Sequence, residues 1–416
     1  MADPQRTRTT FVYEHWRAVS SGILETAATT FLLTIAVRWF QAGAAAKALV
    51  AAGGSIGLLL SPLVVSIVTN ARWRTSQAAA VVLAAGATAF LVAAALPLLP
   101  VFVLASVVGL AAAASIIPLL TQMYQDNYPE AERGRRFSRT VMVRIAVAAG
   151  FSHLAGQALD RHPEEFRGLL LVFGAALAFA AFCLARCPTG PIPQEGRAHP
   201  LRALRYAHED KLFQRTLVCW MLMGFANLMM MPLRVEYLAN EAYHPGQSVS
   251  VGMIALLTGV IPNLARLLLS PVWGHLFDRM NFFTLRVTLN AGFAIGIATF
   301  FASNTTTGLV VAAIIYGVSN AGGDVAWSLW VTKFAPPGRV ADYMSVHTFL
   351  TGLRGVLAPV AAFAAVGHLS LGWLAGLSIV LIVAGSVLLL PEVWPGRAPA
   401  HGRAGGGRTV LEDPPE

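Results

Sequence analysis

The stretch RLLLSPVWGHLFDR, Arg266 to Arg279, has charged residues at both ends of a mostly apolar segment and decides the predicted fold. Its pentapeptide LLLSP, residues 267–271, occurs a second time at residues 58–62, about half a chain length earlier. Both copies lie late in the second apolar run of their half of the chain. This placement predicts two halves of similar architecture, each with the same order of helices.

The composition predicts a membrane protein. Of the 416 residues, 56% are hydrophobic and 12% are charged, and the mean hydropathy is +0.62. A soluble domain carries about 25% charged residues, and apolar runs of about 18 residues or more predict membrane-spanning helices. Twelve such runs are present, and they predict helices at 17–40, 45–69, 76–98, 100–124, 137–160, 167–187, 213–237, 250–277, 284–303, 306–333, 341–366 and 370–391.

The order of these runs predicts an all-α integral membrane fold with twelve transmembrane helices in two six-helix, pseudo-symmetric halves. Between the sixth and seventh runs lies a segment rich in proline, glycine and charge, which predicts a cytoplasmic linker. The composition of the C-terminal tail predicts disorder. The predicted segments are a cytoplasmic N-terminus at 1–16, a first half at 17–187, the linker at 188–212, a second half at 213–396 and a cytoplasmic tail at 397–416.

The net charge of +9 has the distribution expected of a membrane protein. With the N-terminus in the cytoplasm, most of the 30 lysines and arginines fall on the cytoplasmic side, as the positive-inside rule requires. This distribution predicts that both termini are cytoplasmic, and it accounts for the basic charge without a nucleic-acid partner. The Ala- and Arg-rich composition is typical of a bacterium, so we expect the inner (plasma) membrane. Five basic residues fall on the predicted outer side, namely Arg38, Lys47, Arg161, Arg167 and Arg234.

Five charged residues lie within the predicted spans, where a charge costs about 2.5–3.5 kcal/mol on insertion scales. Polar residues at helical spacing extend several of these positions into stripes, as Ser21 and Thr29 do for Glu25. Such a stripe must face protein or water because lipid cannot satisfy it. The residues predicted to bind substrate or to couple protons are Glu25, Arg144, Asn227, Arg266, Asn320, Asp324, Trp327 and Arg354.

The charged members of this set do not balance, because three arginines stand against two carboxylates. The remaining guanidinium could bind a carboxylate or phosphate on a substrate, which its planar fork contacts at two points. Glu25 and Asp324 are the candidate proton carriers, because burial favours the protonated form of a carboxyl group. A purely structural role, in which the two acids neutralise two arginines and hold helices together, is the open alternative.

Two segments resemble the major facilitator superfamily. GHLFDR, Gly274–Arg279, matches the G-x-L-x-D-R loop motif of that family, and PEAERGR at 129–135 resembles its loop between helices 4 and 5. The resemblance extends over about residues 17–391 and implies a secondary transporter. It also implies an inner gate in which a carboxylate meets the positive start of helix 11. The implied gating residues are Gly274, Asp278, Arg279 and Arg339.

The family fold implies that helices 3, 6, 9 and 12 are peripheral and that the other eight line a central cavity. All five charged positions fall on these lining helices, and we expect no charge inside the four peripheral ones. The gate motif departs from the family pattern in two places. Asn281 stands where the family has glycine, and in the first half Val65 and Thr69 stand at the glycine and aspartate positions. The gate is therefore predicted to depend mainly on its second-half copy.

These patterns predict a secondary active transporter of a small solute that is coupled to protons, works by alternating access and carries sugars, drugs, peptides or organic anions. The alternative is a transporter-fold protein that acts as a sensor or as a lipid- or pigment-handling assembly factor without transport. The chain contains no P-loop, H-E-x-x-H or G-x-S-x-G pattern, so we expect neither an enzyme nor a cofactor. The expected partners are the substrate, protons and the lipid bilayer, with no nucleic acid, and we expect a monomer.

We expect Asp278→Asn to reduce transport more than Thr69→Ala, because only the second-half motif keeps its acid. Solute flux into proteoliposomes measures both variants at equal protein content. Equal losses in the two variants, or no loss in either, would show that the motif has no gating role.

Overall fold

The computed structural model describes residues 4–192, 206–244, 249–330 and 340–393. This part of the chain is built from helices, and twelve of them form a bundle. Three predictions lie outside the described residues, namely Arg339, most of the 188–212 linker and the tail from 397.

The first six helices are α1 Pro4–Arg38, α2 Ala44–Asn70, α3 Thr75–Ala95, α4 Leu99–Asn127, α5 Glu130–Arg161 and α6 Phe166–Ala185. The next six are α7 Lys211–Ala239, α8 from Val251 to Arg279, α9 Phe282–Ala302, α10 Thr306–Leu329, α11 Val340–Ala365 and α12 Leu371–Val387. In the described ranges, eleven helices are long and apolar enough to cross a membrane, and α12 is apolar but shorter, with 17 residues. The predicted twelve-helix architecture is confirmed.

Side-chain caps at helix starts explain several of these boundaries. Asp210 accepts hydrogen bonds from two backbone N–H groups of α7, and Ser250, Asn281, Thr305 and Ser370 each accept one at the start of a later helix. A cap satisfies a donor that has no partner within the helix, so it fixes the residue at which the helix begins. Internal prolines are tolerated at positions 62, 232, 271 and 359.

The first helix begins at Pro4, well before the predicted start of the apolar run at 17. A buried polar cluster holds this extension against α4. The Arg17 guanidinium lies 2.7 Å from the fully buried Glu14 carboxylate, and the Tyr124 hydroxyl donates to the same carboxylate. The sequence prediction missed this part of α1 because hydropathy scores these polar residues as exposed.

Each six-helix half has its own apolar core. Phe90 and Phe173 are fully buried in the first core, while Phe213 and Trp330 stack face to face in the second. Helix packing in a membrane gains little from the hydrophobic effect, so close packing and polar contacts must hold the halves together.

Short π-helical turns interrupt one helix of each half, at Ala27–Phe31 in α1 and at Leu256–Val260 in α8. The two turns meet where the Thr30 and Thr258 hydroxyls form a 2.9 Å hydrogen bond across the halves. Gly259 packs against the Ser152 side chain at the same level, where a larger residue would collide with it. A π-turn leaves the regular hydrogen-bond ladder and is often found beside functional sites.

The predicted outer end of the bundle is closed by ion pairs between the halves. Arg38 of α1 lies 3.1 Å from Glu241 and also donates to the Val249 carbonyl at 2.7 Å. The Asp160 carboxylate at the end of α5 accepts the Gly252 N–H of α8 at 2.9 Å.

A buried ion pair at the same end joins α2 to α7. The Lys47 Nζ lies 2.5 Å from Glu236 Oε1, and the same oxygen accepts a hydrogen bond from Asn240 at 2.8 Å. The Lys47 ammonium also lies 5.2 Å from the centre of the Phe363 ring. Lys47 was predicted as an outer-side charge, whereas the structure buries it within α2, where Glu236 neutralises it.

We expect Glu236→Gln to lower the free energy of unfolding by about 3–5 kcal/mol, because it leaves a buried ammonium without a counter-charge. Thermal denaturation in detergent measures the change. Replacing both partners, as Lys47→Met with Glu236→Leu, should restore most of the loss.

The matched control is Arg215→Gln, which breaks an exposed pair with Glu392 and should cost less than about 1 kcal/mol. Equal destabilisation by Glu236→Gln and Arg215→Gln would contradict the importance of burial.

Candidate functional site

A cavity of about 340 Å³ lies in the second half and is closed on one side by α1 of the first half. This volume is within the range of small-molecule sites, about 300–1,000 Å³. Helices α7, α8, α9, α10 and α11 supply most of its wall, and the first half contributes Glu25 and Thr29. The other lining residues include Asn227, Arg234, Asn263, Arg266, Arg286, Asn320, Asp324, Trp327, Thr351 and Arg354.

Arg266 of α8 is the centre of an ion network in this wall and is only 5% exposed. Its Nε and Nη2 donate to Asp324 Oδ2 of α10 at 3.1 and 2.7 Å. Its Nη1 donates to Asn263 Oδ1 at 2.7 Å and to the carboxylate of Glu25 in α1. One guanidinium therefore binds a carboxylate from each half of the protein.

Glu25 contacts a second arginine from the first half. The Arg144 Nε of α5 lies 3.1 Å from Glu25 Oε2, while Arg266 contacts the other carboxylate oxygen. The Arg144 side chain is about a third exposed and is absent from the cavity lining. Two arginines and two carboxylates thus neutralise one another, which is the structural pairing that the sequence left open.

Seven of the eight residues predicted to bind substrate or couple protons line the cavity. The eighth, Arg144, reaches the site through Glu25. Among the neutral members, Asn227 lines the cavity, and its Nδ2 donates a long hydrogen bond of 4.0 Å to the Met223 sulfur. Trp327 and Asn320 belong to α10, on the same wall as Asp324.

The predicted gate lies at the end of α8. Gly274 and Arg279 occupy its last two turns, and Arg279 is exposed. The side chain of Asp278 lies outside the described part of the structure, as does Arg339. The gate therefore remains a prediction.

The expectation that helix 9 carries no internal charge is wrong. Arg286 lies one turn inside α9, is fully buried and lines the cavity, with its guanidinium 3.8 Å from the centre of the Trp220 ring. The predicted span 284–303 contains Arg286 near its start, but the sequence analysis did not count it among the charges within the spans. Its apolar neighbours Leu285 and Val287 were the signal that could have placed it inside the helix.

Arg234 is a second arginine that the sequence analysis placed elsewhere. It was predicted as an outer-side charge, but it is 9% exposed and lines the cavity from α7. Its guanidinium lies 3.6 Å from the centre of the Tyr316 ring, which is a close cation–π contact. The aromatic face partly offsets the cost of burying this charge.

The cavity wall carries an excess of positive charge. Its described lining contains four arginines, namely Arg234, Arg266, Arg286 and Arg354, against two carboxylates. Arg266 takes up both carboxylates, so the excess falls on the α7, α9 and α11 sides of the cavity. In a medium of low dielectric constant such an excess favours an anion in the cavity.

Comparisons with known proteins agree with this architecture. A family profile described as Major Facilitator Superfamily matches residues 77–359. An alanine mutant of the nucleoside transporter NupG superposes with a TM-score of 0.74 at 16% identity, covering 92% of this chain and 99% of that one. The D-xylose-proton symporter gives 0.64 at 15% identity, covering 94% and 96%.

A POT family transporter in complex with 5-aminolevulinic acid gives a TM-score of 0.66 at 13% identity, covering 94% of this chain and 96% of that one. At these identities the likeness concerns the fold. No curated protein sequence matches the chain significantly.

We expect Arg266→Gln to destabilise the protein more than Arg144→Gln, because it leaves Glu25 and Asp324 without their shared cation. Adding Asp324→Asn to Arg266→Gln should recover part of the loss, with a coupling of about 0.5–3 kcal/mol in a double-mutant cycle. Thermal denaturation in detergent supplies all the values. Strictly additive losses would contradict the pairing.

Proposed function

This chain belongs to the major facilitator superfamily, and on that premise we propose that it is a proton-coupled secondary transporter of a small solute. The observation that carries the proposal is the position of Arg266, which binds Glu25 of the first half and Asp324 of the second in the wall of one cavity. The same network joins the two halves and borders the space in which a solute would bind.

Proton coupling requires a group whose protonation changes the contact between the halves. Glu25 and Asp324 are suited to this role, because each meets Arg266 only as an ionised carboxylate in a charge-assisted hydrogen bond. Protonating either one removes a negative charge next to a guanidinium that is 5% exposed. The arrangement of α1 against α8 then loses part of its stabilisation, and a different arrangement of the halves becomes more populated.

The two carboxylates differ in access. The Asp324 side chain is 42% exposed to the cavity, whereas the Glu25 side chain is 18% exposed and has arginines on both oxygens. A proton arriving from the cavity reaches Asp324 more readily. We therefore assign Asp324 as the proton carrier and Glu25 as the group that keeps Arg266 in place.

Alternating access requires contacts between the halves that break and re-form. The pairs Arg38–Glu241 and Lys47–Glu236 close the predicted outer end in this structure. The facing π-turns at Thr30 and Thr258 provide a place where α1 and α8 can change their hydrogen bonding. These features support the interpretation that this structure is one of the two conformations that alternate during transport.

The charge distribution and the likeness to transporters support the remaining parts of the proposal. The positive-inside bias supports cytoplasmic termini, and the Ala- and Arg-rich composition supports the inner membrane of a bacterium. One structural neighbour is a D-xylose-proton symporter, which agrees with uptake of solute together with protons.

The test is solute-dependent proton movement in proteoliposomes that contain a pH-sensitive dye. A panel of nucleosides, pentoses, amino acids, monocarboxylates and dicarboxylates is added under an imposed pH gradient. We expect one class to move protons with the wild-type protein. Asp324→Asn should abolish acceleration by the gradient, by about tenfold or more, yet keep solute exchange at equal pH.

The control variant is Glu164→Gln. The Glu164 side chain is 75% exposed and contacts His162, which does not line the cavity. It should behave as the wild type. Absence of flux for every solute would contradict transport. Unchanged gradient dependence in Asp324→Asn would contradict the coupling role while leaving transport intact.

A further inference from the structure

Arg286 presents a guanidinium to which the described residues offer no oxygen acceptor, and its polar neighbour is the Cys219 sulfur. The residue is fully buried, and none of its three side-chain nitrogens has a hydrogen-bonding oxygen among the described residues. A guanidinium has five N–H donors, and burying them without acceptors costs free energy. The face of Trp220, 3.8 Å away, attracts the positive charge but accepts none of the N–H groups that point along the guanidinium plane.

Arg354 lies at the same place from α11. It is 5% exposed, its Nη1 donates to the Trp220 carbonyl, and its Nε has no acceptor in the described residues. The guanidinium packs directly against Gly224 of α7, where any side chain would collide with it. The glycine therefore makes room for the cation beside Trp220.

A third basic group completes the cluster. The ring of His347 is 1% exposed, lies 5.1 Å from the Trp220 ring, and its Nε2 has no partner in the described part of the chain. The carboxylates that line the cavity, Glu25 and Asp324, contact Arg266. Two arginines and a histidine thus surround one indole, and the salt bridges of the described ranges bring no carboxylate to them.

Both arginines border the cavity. Arg286 has no exposed surface in this structure, so a ligand contacts its guanidinium only when the neighbouring side chains shift. Two guanidinium groups with free N–H donors match the oxygens of a carboxylate or phosphate, which they bind in a bidentate manner. The apolar walls beside them, Phe293 and Trp327, suit a flat or apolar body attached to that anion.

We propose that Arg286 and Arg354, held against Trp220, form the binding subsite for the carboxylate or phosphate group of an organic anion. Identifying this anion as the transported solute rests on the proposed transport function. The ion network at Arg266 is then the coupling element, and the cluster at Trp220 is the substrate-recognition element. The sequence analysis predicted one guanidinium in excess of the carboxylates. We assign this role to Arg354, which acts together with Arg286.

A phosphate group could belong to a free solute or to the headgroup of an anionic lipid. Full burial of Arg286 within the bundle favours a free solute, because a headgroup would have to leave the membrane surface to reach it. The experiment therefore includes both sources.

The test measures binding by isothermal titration calorimetry and by Trp emission on protein purified in a neutral detergent. The probes are benzoate, its uncharged isostere benzamide, inorganic phosphate and short-chain phosphatidylglycerol. We expect benzoate to bind, benzamide to bind about tenfold more weakly or not at all, and phosphate to compete with benzoate. Phosphatidylglycerol should not compete.

Arg286→Gln and Arg354→Gln should each weaken benzoate binding about tenfold or more. Arg286→Lys should recover only part of it, because an ammonium lacks the planar fork. Arg167→Gln is the matched control, since this arginine donates to the Ala94 carbonyl outside the cavity. Size-exclusion chromatography checks that each variant is folded. If a Gln variant does not fold, the Arg286→Lys variant tests the site instead.

Three results would overturn the inference: equal affinity for benzoate and benzamide, wild-type affinity in both folded Gln variants, or competition by phosphatidylglycerol alone. Binding in detergent needs no translocation, so the two proposals fail separately. Normal benzoate binding without any solute-driven proton movement contradicts transport only. Gradient-driven transport of an uncharged solute without anion binding contradicts the anion subsite only.

Discussion

The structure depends on the neutralisation of one buried guanidinium by two carboxylates from different halves. Arg266 lies in a wall of low dielectric constant, where an unpaired charge would be strongly unfavourable. Glu25 and Asp324 stabilise it, and in doing so they fix α1 against α8 and α8 against α10. The network that holds the bundle together is therefore also sensitive to any proton that reaches one of its acids.

The cavity is asymmetric although the helix pattern is repeated. The second half supplies arginines, asparagines and aromatic rings from five helices, and the first half supplies one helix that carries Glu25 and Thr29. This division separates two tasks. The second half forms a positively charged pocket with aromatic walls, while the first half closes it and provides the acid that links its own movement to that pocket.

Aromatic rings make the positive excess of this pocket possible. Tyr316 lies under Arg234 and Trp220 lies under Arg286, so a ring face partly stabilises each cation. A ring face stabilises the charge but leaves the N–H donors free. Arg286 and Arg354 therefore keep N–H groups that can donate to an anion.

The sequence by itself determined the twelve helices and seven of the residues that line the cavity. Lipid leaves the backbone no hydrogen-bond partner outside the helix, so long apolar runs must become helices, and a charge such as Asp324 or Arg354 inside one must face protein or water. These are local constraints, and they can be read from residues that are neighbours along the chain.

Only the tertiary structure decided which charges pair. Arg266 is separated from Asp324 by 58 residues and from Glu25 by 241, and no local pattern encodes those contacts. It also decided the place of Arg286, because only the packing of α9 against its neighbours shows that this arginine lies in the cavity wall. Helix boundaries and charge partners follow from packing between distant segments, and that packing is set by the whole fold.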